Sequence, residues 1–147
     1  MKTLVAISVK KVDFSYGSTK ILDQVDMDIQ KGQFTVLLGR NGCGKSTIFG
    51  LITGLEHYKT GSIKILDKER KKLSFAQCSK IMGFMPQSHK PIFPFKAKEV
   101  VLTGRAAFSG FSPSAADKKL VLGALEELGI GHLADRPYSE LSGGEQQ

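Results

Sequence analysis

A chain of 147 residues with 41% apolar content is about one domain in length and can build a packed core, which excludes a disordered or low-complexity polypeptide. Its formal charge of +7 comes mostly from scattered lysines. The one dense run, "KERKK" from Lys68 to Lys72, carries no interleaved aromatics, so it reads as a solvated surface and no nucleic-acid partner is expected. No apolar window reaches the roughly 18 residues that a membrane-spanning helix requires, and Lys and Asp interrupt the N-terminus before a signal-peptide core develops. Two cysteines, Cys43 and Cys78, are too few for a disulfide framework or a zinc site; reduced thiols are expected, and with them a cytosolic or membrane-peripheral location.

Along the chain, strands and helices alternate. "VAISV" alternates weakly and "VDMDIQ" strictly, with Val25, Met27 and Ile29 on one face and Asp26, Asp28 and Gln30 on the other. These two read as an antiparallel layer joined through a turn at "YGSTK", with "QKGQ" as the tight link onward. "FTVLLG" is apolar without alternation, which predicts a strand covered on both faces, as in a parallel sheet. From Lys45 the spacing of Ile48, Leu51, Ile52 and Leu55 predicts a helix with one buried stripe. A short strand at "SIKIL", a second apolar strand at "IMGFM" ended by Pro86, and a helix around "AKEVVLTGR" follow. In "SPSAADKKLVLGALEELGI", Ser112 is the predicted helix cap and Pro113 the first helical residue. Leu120, Ala124, Leu125 and Leu128 form the predicted apolar face of that helix, and Gly129 its left-handed stop.

The stretch "GRNGCGKST", Gly39 to Thr47, sits between a predicted strand and a predicted helix, the context a phosphate-binding loop needs. Gly39 and Gly44 permit backbone angles closed to other residues, and the main-chain amides through Asn41, Gly42, Cys43, Gly44, Lys45, Ser46 and Thr47 form a nest for a triphosphate. Lys45 would reach the outer phosphates and Ser46 would place its hydroxyl on magnesium. Cys43 reads as a small filler residue, not a nucleophile.

About a hundred residues later stands "LSGG", Leu141 to Gly144. With the upstream loop, it makes the chain resemble the nucleotide-binding subunit of ATP-binding-cassette (ABC) proteins along essentially its whole length. The resemblance implies an α/β fold of the P-loop NTPase class, with an N-terminal antiparallel β layer, an incomplete parallel-sheet core and a helical subdomain. Residues 1–87 would hold the β layer and loop core, and 88–147 the helical subdomain up to the second motif. It also implies that Ser142, Gly143 and Gly144 touch the γ-phosphate of ATP held by a partner subunit. By the same resemblance Tyr16 stacks on adenine, and Gln87 touches magnesium and its water. His89 reads as a solvated loop residue.

The segment "QSHKPIFPFKAKEVVLTGR" and the later "RPYSELSGGE" are similar to members that energise import of iron complexes, haem or cobalamin, with Ala97 and Thr103 where Val and Met are usual. Implied partners are a second ATP-binding subunit arranged head to tail, transmembrane permease subunits and, indirectly, a substrate-binding protein, at the cytoplasmic face of the inner membrane. In the family, an acidic strand bearing an Asp for magnesium and a Glu for the attacking water follows the signature, and a histidine follows later. None of Glu126, Glu127, Glu140 or Glu145 follows an apolar strand. The expectation is therefore a truncated cassette, with an unpaired strand edge at "TVLL", that binds ATP without hydrolysing it. A non-hydrolysing binding module and a soluble cassette ATPase unconnected with transport stand as alternatives.

Overall fold

The computed structural model describes residues 4–86, 94–110 and 112–146. It divides into two compact units, Met1–Cys78 and Ser79–Gln147.

In the first unit, β1 (Val5–Tyr16) and β2 (Thr19–Gln30) form an antiparallel hairpin that turns at Gly17, whose φ is 57°. After the helix α1 (Lys45–Thr53), β3 (Thr60–Ile65) pairs antiparallel with the free side of β1, and the short β4 (Lys68–Glu69) pairs with β3. The resulting order is β2-β1-β3-β4. The alternation expected in β2 is present, with Val25, Met27 and Ile29 half-buried and Asp26 and Asp28 exposed. Val9, Val12 and Ile63 from the sheet and Leu51 from α1 are completely buried, each contributing on the order of 1.5–3 kcal/mol.

The hairpin is irregular for a visible reason. Its register shifts around Lys11 and Gln24, both at positive φ, and carboxylates take up the displaced amides: Asp26 accepts from the Lys11 N–H and Asp13 from the Gln24 N–H, each at 3.0 Å. The bulge also brings the Lys11 carbonyl onto β3 at Gly61, where a Cβ would lie 2.3 Å from that oxygen. No side chain fits there.

Several expectations are corrected here. The strand expected at "FTVLLG" does not form: Phe34 is 94% exposed and Leu38 84%, and no ladder among the described residues includes residues 33–40. "IMGFM" likewise forms no strand, and Ile81, Phe84 and Met85 stand exposed. Apolar composition supplies a face to bury but not the neighbouring backbone whose hydrogen bonds make a strand. Leu55 lies outside α1, which stops at Gly54 with φ 83°, and is exposed. The "KERKK" run is not uniformly solvated. Arg70, 7% exposed, donates from Nε to the Ile52 carbonyl, from Nη2 to that of Thr53 and from Nη1 to that of Leu73, so it closes the C-terminal end of α1.

The short helix α2 (Phe75–Ser79) leads to the second unit, which contains α3 (Ala97–Thr103), α4 (Ala106–Ser109), α5 (Ala115–Glu127) and the single turn α6 (Gly143–Gln146). One apolar cluster joins Ala97, Leu133, Tyr138 and Leu141; another joins Val121, Leu125 and Ala134, and Ile130 packs against both. The cap of α5 is Ser114, not Ser112, because only Ser114 has an acid three residues on. Its hydroxyl accepts from the Asp117 N–H at 3.1 Å while Asp117 accepts from the Ser114 N–H at 3.0 Å, a reciprocal capping box. Pro113 precedes the helix.

The buried face of α5 is Asp117, Val121 and Leu125; Leu120, Ala124 and Leu128 are exposed. Asp117 sets that rotation, since its carboxylate also accepts from Arg105 Nε at 2.8 Å and Ser109 Oγ at 2.5 Å. Gly129 ends the helix at φ 72° as expected, with the Ile130 N–H donating to the Leu125 carbonyl and that of Gly129 to the Glu126 carbonyl.

The hydroxyls of Ser109 and Ser114 and the Arg105 guanidinium hold the Asp117 carboxyl far below the usual carboxylate range. A carboxyl depressed in the folded state stabilises the fold above its unfolded pKa, and that stabilisation is lost as pH falls from about 4 toward the folded value. Asp117→Asn should therefore lower the urea midpoint of the helical unit at pH 7, followed by circular dichroism, and should flatten its decline with acid below about pH 4.

Candidate functional site

The loop from Gly39 to Gly44 is exposed except for Gly44, and it runs directly into α1. Gly44 has φ 94° and contributes no capping side chain, so no side chain caps the first amides of α1, and the first turn carries no acidic residue. A β-carbon at Gly44 would lie 2.8 Å from Leu22 Cδ2 and 3.2 Å from Ile21 Cγ2, so β2 presses directly against the bend. At Gly39 a β-carbon would meet Cys43 Sγ at 2.6 Å. Gly44 is required by its backbone angle, and Gly42 adds a further positive φ of 80°; Gly39, expected to need such an angle, has no positive φ, and its close neighbour is the tip of an exposed side chain that can turn aside.

Lys45 folds back over this loop. Its Nζ donates to the Gly39 carbonyl at 2.7 Å and the Arg40 carbonyl at 2.8 Å, with Cys43 Sγ at 3.8 Å. Ser46 is exposed on the first turn of α1, while Thr47 beside it is 8% exposed. Asn41 and Cys43 are exposed members of the loop, and Cys43 is a free thiol. A cavity of about 380 Å³ near the other end of α1 is lined by Leu51, Gly54, Arg70 and Phe75 among others, and by no residue of the loop. The loop itself lies on the surface, exposed from Gly39 to Cys43.

Tyr16, at the end of β1, belongs to the same unit. Its ring stands edge-on to Phe14, with centroids 4.8 Å apart and planes at 84°, and its hydroxyl donates to Glu56 Oε1 at 2.8 Å. That carboxylate pushes the Tyr16 phenol above its ordinary pKa, and the Thr47 hydroxyl pulls it the other way. The structure thus brings Tyr16 beside Thr47, the last residue of the loop motif. Glu56 was not legible as a site residue: it belongs to no motif, and its place depends on how the chain leaves α1.

In the second unit, Ser142 caps α6. Its hydroxyl and its N–H both donate to Glu145 Oε2 at 2.7 Å, and these two bonds hold the Glu145 carboxyl below its ordinary pKa. Gly143 and Gly144 face open space, since a β-carbon at either would meet nothing within 4 Å. Gln146 fixes this turn by donating to the carbonyls of Tyr138 and Leu141 at 3.0 Å, while the Tyr138 hydroxyl donates to the Gln146 carbonyl at 2.8 Å. Gln87 and His89 lie outside the described residues. Among the described residues, no cluster of His, Cys, Asp and Glu could hold a metal ion by itself, and no helix is long and apolar enough to cross a membrane.

Residues 22–147 match the family described as ABC transporter. The chain is 36% identical to a hemin import ATP-binding protein of Plesiomonas shigelloides over 95% of its own length and 52% of that protein. It is 33% identical to an iron(3+)-hydroxamate import ATP-binding protein of Bacillus subtilis, over 97% of its length and 54% of that protein. Among solved structures it superimposes on an inward-facing ABC transporter described as of metal-chelate type, with a TM-score of 0.78 and 30% identity over 97% of this chain and 52% of that one. The chain spans about half the length of the curated relatives it matches.

Replacing Gly44 by Ala puts an L-residue at φ 94° against Ile21 and Leu22. The expected cost is about 1–3 kcal/mol, read as a lower urea midpoint. Ser46→Ala, on the exposed face of the same helix, should stay within about 0.5 kcal/mol of the parent.

Proposed function

The chain belongs to the ABC transporter family, and on that premise we propose that the 39–47 loop and Tyr16 together bind ATP with magnesium as part of an importer's ATP-binding subunit. The observation that carries this reading is Lys45 Nζ held on the Gly39 and Arg40 carbonyls, inside a loop that Gly44 bends into the uncapped start of α1. The loop carries no acidic side chain and holds the cations of Arg40 and Lys45, a composition that fits a polyphosphate. An arriving phosphate offers the ammonium a charge-assisted partner in place of two neutral carbonyls, and the helix start adds positive potential.

In this reading the amides of Gly39, Asn41, Gly42, Cys43, Gly44, Lys45, Ser46 and Thr47 surround the phosphates and Tyr16 takes the adenine face. Ser46 and Gln87 hold the magnesium ion, which when bound spreads the negative charge of the phosphates. Ser142, Gly143 and Gly144 serve the γ-phosphate of a nucleotide held by a second subunit, placed head to tail. Reaching it requires Ser142 to share or release its hydroxyl from Glu145. Residues 1–87 form the nucleotide core and 88–147 the helical subdomain, at the cytoplasmic face of a membrane whose permease subunits receive the motion.

The names of the hemin and iron-hydroxamate relatives support an iron-siderophore, haem or cobalamin complex as cargo. A hypophosphite import relative from Stutzerimonas stutzeri, 37% identical, means that similarity of this degree does not by itself select the cargo. Turnover by the 147-residue chain alone is expected to be slight, because neither the loop nor the first turn of α1 contains an acidic side chain to orient water.

Calorimetric titration with ATP and magnesium should give saturable binding that Lys45→Ala weakens by roughly tenfold or more, with an unchanged circular dichroism spectrum. Phosphate release should stay near background in both proteins. Absence of nucleotide affinity in the folded parent, or equal affinity in the variant, would overturn the reading.

A further inference from the structure

Glu56 lies outside the loop, yet the fold places it with care. Its N–H donates to the Gly50 carbonyl at 3.0 Å, so the backbone is tied to the end of α1. Its side-chain stem crosses α1 at Gly50, where a β-carbon would lie 2.9 Å from Glu56 Cγ. The carboxylate so directed meets the Tyr16 hydroxyl at 2.8 Å. The tyrosine ring also packs against Phe14 in a T-shaped pair, with centroids 4.8 Å apart.

A surface tyrosine that is 50% exposed would ordinarily exchange among rotamers. Here the ring packs against Phe14 while a hydrogen bond to Glu56 fixes its hydroxyl end. The carboxylate comes from the turn just beyond α1, whose backbone is tied back to that helix at Gly50, so the tyrosine's partner is anchored to the same helix that begins at the phosphate loop. We propose that Glu56 is a positioning residue for the nucleotide base: by holding the Tyr16 hydroxyl it presents the ring ready for stacking, and it thereby sets affinity for the base without touching the phosphates. The inference rests on the ATP-binding reading above. A ring that is already in place loses less freedom when the base arrives, and the gain appears as affinity.

A surface hydrogen bond with no bearing on the base would have the same geometry, so the test separates base from phosphate. Affinities of the full chain for ATP and for inorganic tripolyphosphate, both with magnesium, are measured by calorimetry for the parent, Glu56→Ala, Glu56→Gln, Tyr16→Phe and the double variant Tyr16→Phe/Glu56→Ala. Glu56→Ala and Tyr16→Phe should each weaken ATP by a factor of roughly three to five, and the double variant by no more than either single one. Glu56→Gln, whose amide oxygen can still accept from the phenol, should recover most of the loss, and tripolyphosphate affinity should be the same in all five proteins.

Unchanged ATP affinity in Glu56→Ala, equal losses for ATP and tripolyphosphate, or additive losses in the double variant would each overturn the proposal while leaving ATP binding by the loop intact. A folded parent that binds neither ligand would instead overturn the nucleotide site itself, and the role of Glu56 with it.

Discussion

The left-handed bend at Gly44 is the constraint from which the site follows. At φ 94°, with Ile21 and Leu22 of β2 filling the space a β-carbon would take, it ends the exposed loop and begins α1 within one residue. The first amides of α1 are therefore left without a capping side chain, and Lys45 begins the helix in a position to reach back over the carbonyls of Gly39 and Arg40. The hairpin of β1 and β2 contributes twice. It supports the bend through Ile21 and Leu22, and it delivers Tyr16 at the end of β1.

The same economy of placement runs along α1. Its start forms the cradle, and its end is closed by Arg70, whose guanidinium satisfies the carbonyls of Ile52 and Thr53. Gly54 has to be glycine beside it, since a β-carbon would fall 1.7 Å from Arg70 Nη2. Between these ends Gly50 leaves room for Glu56, so a helix of nine residues holds the loop, the arginine and the partner of the tyrosine in one frame. In the helical unit, Asp117 organises Arg105, Ser109 and Ser114 in a comparable way, and Tyr138 and Gln146 fix the turn that carries Ser142.

How much of this could be read from the sequence depended on whether the signal was local. The loop and its helix were legible because glycines at fixed spacing before a lysine constrain the backbone directly, and the β2 alternation and the Gly129 stop were legible for the same reason. "FTVLLG" and "IMGFM" were misread because a strand is defined by its partner, and apolar residues do not name one. The face of α5 was judged correctly at Leu125 but not at Leu120 and Leu128, which hydrophobicity favoured, whereas the part-buried ion pair of Asp117 with Arg105 fixed the rotation of the helix. Arg70 and Glu56 were not singled out, since Arg70 acts on carbonyls 18 and 17 positions away and Glu56 on a hydroxyl 40 positions away, groups that only the fold brings close. Glu145 was read only as a carboxylate in the wrong place for catalysis, while its bonds to Ser142 make it part of the second motif.

The central claim is that one nucleotide is held at both ends by a single structural unit, its phosphates by residues 39–47 and its base by Tyr16. Amide and aromatic resonances of the labelled chain, followed by nuclear magnetic resonance as ATP and magnesium are added, test this most directly. The account predicts saturable shifts at Gly42, Gly44, Lys45, Ser46 and Thr47 together with the ring of Tyr16, all at one common affinity. Shifts confined to other segments, or a Tyr16 ring that does not respond while the loop does, would contradict it.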